Sequence, residues 1–105
     1  MKKLLLLLAL PFTALCQDFP DGMVAVEFNA SFNKSNDVAW LSKLTDCEVQ
    51  RVDIAADSRW ASEYKIVVVP TIILFKDGEE IKRWQANVSF KIEEEVDEIQ
   101  EHVDE

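Results

Sequence analysis

Two thiols, one imidazole and a pair of asparagines bound the chemistry open to this chain. Cys16 and Cys47 are its cysteines and His102 is its histidine. Disulfide exchange needs one thiolate to attack and a second thiol to resolve the mixed disulfide. Cys16 ends an apolar run, while Cys47 stands between Asp46 and Glu48, whose negative charge disfavours a thiolate. Cys47 therefore reads as a small, partly buried apolar residue. A lone His offers no pair for a metal ion. The acids Glu93, Glu94, Glu95, Asp97, Glu98 and Glu101 lack the spacing of a calcium loop. No metal or cofactor is expected. Asn29-Ala30-Ser31 and Asn87-Val88-Ser89 fit the N-glycosylation pattern and are read as chance matches beside a bacterial-type leader.

Glu27 and Pro70 stand out for the opposite reason, as exceptions inside apolar runs. Met23-Val24-Ala25-Val26-Glu27-Phe28 is apolar but for one acid, the pattern of a central strand covered on both faces. Ile66 to Val69 is β-branched and stops at Pro70.

The elements that must position these residues follow from periodicity. After the first strand, 29–36 is polar and turn-prone around Phe32. Val38, Leu41 and Leu44 have helical spacing over 37–44, and 48–54 reads as a second strand. A short helix is expected over 57–64, capped by Asp57 or Ser58. Thr71 to Phe75 and Glu80 to Gln85 form a hairpin across Lys76-Asp77-Gly78-Glu79, which carries the Asp-Gly turn signal. Ile92, Val96, Ile99 and Val103 share one stripe of a closing amphipathic helix. This order predicts an α/β fold, a mixed sheet with helices on both faces.

Length and charge narrow the options further. The 105 residues allow one domain. A formal net charge of -9 repels phosphate backbones, which argues against nucleic acid. Lys2-Lys3, the run Leu4 to Leu10 and the small residues of Ala14-Leu15-Cys16 make a signal-peptide pattern. The domains are accordingly 1–16, a signal peptide, and 17–105, the folded domain. Cleavage before Gln17 would export the domain to the periplasm or the extracellular space. It would also remove Cys16 and leave Cys47 without a partner. Two alternatives stay open: acylation of Cys16 as a lipid anchor, and retention of 1–16 as an apolar arm. Membrane attachment arises only in those two cases.

Three stretches are similar to the thioredoxin family. Val24 to Phe32 resembles the strand entering the family's active-site loop. Tyr64 to Thr71 resembles the segment holding its cis-proline, and Thr71 to Gly78 its hairpin strand. The resemblance implies a thioredoxin-like fold whose N-terminal strand and helix are shortened or missing. It also implies that Trp-Cys-x-x-Cys is replaced here by Phe32-Asn33-Lys34-Ser35-Asn36, a degenerate loop with no nucleophile. Asn33 is then expected to cap the following helix. Glu27 becomes a relic of the family's buried acid, with water or Lys34 nearby, or else an acid facing solvent at the strand end. Phe32, Val69 and Pro70 become a peptide groove, its rim completed by Asn33 and the loop Gln85 to Asn87.

With both sulfurs replaced, the resemblance implies no catalytic residue in this loop. The favoured function is a redox-inactive domain binding an extended peptide or an unnamed protein partner. Two alternatives remain: a structural subunit that uses the fold as a brick in a larger assembly, and a thiol-disulfide oxidoreductase acting through Cys47.

Overall fold

A computed structural model describes residues 18–105. The leader, Cys16 and the cleavage position lie outside the described residues. Strand β1, Met23–Asn29, is buried from its second residue to its last. It lies second in a four-stranded sheet of order β2-β1-β3-β4, where β2 is Glu48–Asp53, β3 is Thr71–Lys76 and β4 is Glu79–Gln85. Strand β1 runs parallel to β2 and antiparallel to β3, which is antiparallel to β4. Among the described residues no strand or helix precedes β1.

Alternation along β1 divides the core. Val24, Val26 and Phe28 join Ile73, Phe75, Ile66, Val69 and Phe19 on one face. Ala25 joins Ile72, Leu74, Leu41, Trp84, Ile99 and Val103 on the other. Each fully buried side chain of this size contributes about 1.5–3 kcal/mol by leaving water. Helix α1, Arg59–Tyr64, covers the first face. Its Trp60 and Tyr64 meet Phe19 at ring separations of 5.8 Å each, and Phe75 meets Phe19 at 4.9 Å. Helix α2, Val96–Asp104, covers the second face with Ile99 and Val103. Helices thus lie on both faces of a mixed sheet, the α/β arrangement expected.

The β3–β4 turn has φ of 53° at Asp77 and 87° at Gly78. Two successive left-handed residues match the right-handed twist of a two-residue hairpin, which is why Asp-Gly suits it. A bulge between Leu74 and Phe75 skips Ile81, leaving that residue exposed.

Three expected helices differ in detail. The one expected over 37–44 is a 3₁₀ segment, Ala39–Lys43, and a second 3₁₀ segment spans Ser31–Asn36. Between them the Val38 N–H donates to Glu27 Oε2 at 2.8 Å, and the Val38 carbonyl accepts from Arg51 Nη2 at 2.8 Å. The Glu27 bond engages the Val38 N–H that a continuous helix would need, while the Val38 carbonyl also accepts from the Leu41 N–H at 3.1 Å. The closing helix begins at Val96 rather than Ile92. The Asn87 side chain holds the Lys91 N–H and the Glu93 carboxylate, so 91–95 runs outside the helix while Ile92 still packs on the core. Helix α1 begins at Arg59, whose N–H donates to Asp57 Oδ1 at 3.0 Å; Ser58 makes no side-chain cap.

Candidate functional site

Strand β1 ends at Asn29, and its buried amide organises the loop that follows. Asn29 Nδ2 donates to Asp37 Oδ1 at 2.6 Å and to the Asn33 carbonyl at 3.2 Å. Its Oδ1 accepts from the Ala30 N–H at 2.9 Å and from Asn33 Nδ2 at 3.2 Å. Asn33 Oδ1 in turn accepts from Asn36 Nδ2 at 2.7 Å. Asn33 Nδ2 also reaches the Val69 carbonyl at 3.5 Å. Asn33 and Asn36 therefore bond to each other, and Asn33 fastens the loop to the segment before Pro70.

Asn33 is not a helix cap. It is buried inside the Ser31–Asn36 segment, with φ of -113° and ψ of 20°, and its side-chain bonds run to Asn29, Asn36 and Val69. No α-helix starts there to offer free N–H groups. Its amide bridges β1 to the Pro70 segment instead.

Glu27 sits on the same face of β1 and is 1% exposed. Its nearest cation is Arg51, its register partner on β2, and not Lys34. Burial pushes the Glu27 carboxyl up, and the Val38 N–H and Arg51 pull it back only in part. Arg51 escaped the sequence reading because β2 looked like an ordinary short strand. The signal lay in the register, which no residue pattern of β2 discloses. Beside this pair lies a cavity of about 250 Å³, whose lining includes Glu27, Asn29, Lys34, Asp37 and Arg51.

An apolar cleft of about 260 Å³ lies on the other side of Ala30, which lines both. Phe32 stands 79% exposed on it, with Ile54, Ile66, Val67, Val68, Val69 and Phe90. The Val69–Pro70 peptide bond is cis. Phe32 and Val69 share the cleft, whereas Pro70 is fully buried and does not line it. Asn33 and the loop 85–87 do not line it either. Phe90 does, from the following turn, and nothing in its sequence surroundings marked it.

The remaining candidates lie elsewhere. Cys47 is half-buried against the α2 face, and burial, then Asp46 and Asp104, push its thiol up. His102 packs edge-on to Trp84 at 5.5 Å. Asn29 is buried and Asn87 holds its own turn together. Among the described residues no group of three His, Cys, Asp or Glu side chains is placed to hold a metal ion, and no helix is long and apolar enough to cross a membrane.

Comparison with known proteins agrees with this geometry. The family model described as Thioredoxin matches residues 12–101. The chain is 40% identical over 45 residues to a thioredoxin of Chlamydia trachomatis, covering 43% of this chain and 44% of that protein. It is 39% identical over 41 residues to a thioredoxin of Mycobacterium bovis, covering 39% of this chain and 35% of that one. The match thus spans less than half the length of either relative. A mutant thioredoxin from Halobacterium salinarum superposes with a TM-score of 0.60 at 25% identity, over 80% of this chain and 74% of the other.

Proposed function

The chain belongs to the thioredoxin family, and from that premise we propose that it is a redox-inactive member that binds an extended peptide or protein segment. The sequence resemblance places the family's two sulfur positions at Asn33 and Asn36, and one observation supports the reading: these side chains bond to each other at 2.7 Å beside an open apolar cleft. An amide supplies neither an attacking thiolate nor a resolving thiol. Cys47 is a poor substitute, since its half-buried thiol is pushed up and thiolate is the reactive form.

The cleft suits binding. Phe32 offers a large, nearly free aromatic surface, and aromatic anchors dominate interface energetics. Extended partners commonly dock through backbone hydrogen bonds with alternate side chains in apolar pockets. Export through residues 1–16 belongs to the same reading and would place the domain where secreted partners are met.

The test has two arms. A disulfide-reduction assay on the purified full chain should give no turnover above buffer, and turnover that vanishes in Cys47→Ala would establish the thiol enzyme instead. A partner recovered from the native source should bind Phe32→Ala about 10-fold more weakly or worse, with folding unchanged because the residue is exposed. Undiminished binding would remove the cleft from the function.

A further inference from the structure

The segment leading into β1 belongs to no helix or strand, yet it is fastened to the domain at both ends. At one end the Gly22 N–H donates to Asp77 Oδ1 at 2.7 Å, and the Asp77 N–H donates to the Gly22 carbonyl at 3.0 Å. At the other the Tyr64 hydroxyl donates to Asp18 Oδ2 at 2.5 Å, and Arg59 Nη1 stands 3.7 Å from Asp18 Oδ1. Between them Phe19 is 4% exposed. Its ring fills a socket made by Phe28 and Phe75 of the sheet and by Trp60 and Tyr64 of α1, at separations of 4.9 to 6.3 Å. Pro20 and Asp21 are exposed, so Phe19 is the anchor of this strap in the core.

The sequence gives that anchor a second meaning. The leader reading puts the scissile bond between Cys16 and Gln17, which makes Asp18 and Phe19 the second and third residues after it. A peptidase takes its substrate as an extended strand that reaches several residues beyond the bond it cuts. With the Phe19 ring in its socket and the Asp18 carboxylate on Tyr64, these residues lie against the domain and are closed to such a cleft. Opening the strap is uphill. It returns a buried aromatic ring to water and strips the partly buried Tyr64 hydroxyl of its acceptor. Cleavage of a folded chain then proceeds only through the fraction in which the strap has opened.

We propose that the Asp18–Phe19 strap closes the domain's own processing site once the domain folds, so that leader removal comes before folding or not at all. The proposal rests on the export reading above and adds its order of events. A chain cut first docks Phe19 afterwards and matures. A chain that folds first keeps residues 1–16. Cleaved leader and retained arm are thus two outcomes of one race between peptidase and folding.

The test compares two substrates of a purified bacterial signal peptidase in mild detergent. One is the full chain, its folding verified by tryptophan fluorescence, and the other is a synthetic peptide of residues 1–22, which has no socket. Mass spectrometry should show both cut before Gln17, the full chain roughly tenfold or more slowly. Tyr64→Phe, which removes the Asp18 bond and keeps the ring, should speed cutting of the full chain several-fold. Phe19→Ala should bring the full chain close to a peptide carrying the same substitution; where it fails to fold, Tyr64→Phe decides. A folded parent cut as fast as the peptide would overturn the strap and leave the leader reading standing. Slow cutting that neither variant relieves would overturn the strap as well. A peptide that is not cut removes the leader reading, and the strap's role falls with it.

Discussion

Glu27 and Arg51 face each other as register partners across the parallel β1–β2 pair, and Arg51 spans from the Glu27 carboxylate to the Val38 carbonyl. The acid is buried to 1% while the arginine side chain is 40% exposed. One partner has lost its water and the other has not, so the two respond differently to removal.

The first prediction follows from that asymmetry. The folded-state pKa of Glu27 is raised by burial. A raised pKa contributes stability that is present below the unfolded value and lost as pH climbs through the folded one. The stability of the parent relative to Glu27→Gln should therefore fall as pH rises above the ordinary glutamate value of about 4.3. Arg51→Met should cost about 1–3 kcal/mol near neutrality, where it strands a buried carboxylate, and less in acid. Urea denaturation at both pH values checks each sign; pH-independent differences would contradict this account.

The Asn29 amide makes four hydrogen bonds in the loop. Replacing it with Ala leaves the Asn33 carbonyl and the Ala30 N–H without these partners in a buried setting. Asn29→Ala should destabilise the fold by about 1–3 kcal/mol. Hydrogen exchange should localise the loosening to 30–37. Uniform exchange across the sheet would point to a different role.

The side chains of Asn33 and Asn36 already meet at 2.7 Å. A disulfide requires Cβ atoms roughly 3.5–4.5 Å apart. Asn33→Cys with Asn36→Cys should close an intramolecular bridge under mild oxidant, seen by mass mapping of the joined peptide. Thiols that stay free would show that the 3₁₀ loop holds the two Cβ atoms apart.

Export predicts a definite amino terminus. Intact-mass measurement on protein recovered from the exporting compartment should give a chain starting at Gln17. A lipid mass on Cys16 would favour the anchor, and an uncut chain would favour the retained arm.

How much could be read from residues alone varied with the source of each constraint. The strands were legible because β-branched runs and the Asp-Gly turn are local signals. The helices were less so. Val38, Leu41 and Leu44 have helical spacing and do reach the core, yet Glu27 takes the Val38 N–H. Ile92 keeps its place on the apolar stripe although the helix starts later, because Asn87 holds the preceding segment. At the site, Phe32 and Val69 were legible through the family resemblance. Arg51 and Phe90 were not, since one arrives by strand register and the other by a turn that a side-chain amide closes.

A loop fastened by amides has a consequence of its own. The Asn33–Asn36 bond neither gains nor loses electrons, so this region has one covalent form in a reducing cytosol and in an oxidising exterior alike. Where a sulfur pair would make the shape of the cleft follow its surroundings, the amide pair keeps it constant. Any grip the cleft exerts is therefore set by which partner is present and how much of it there is.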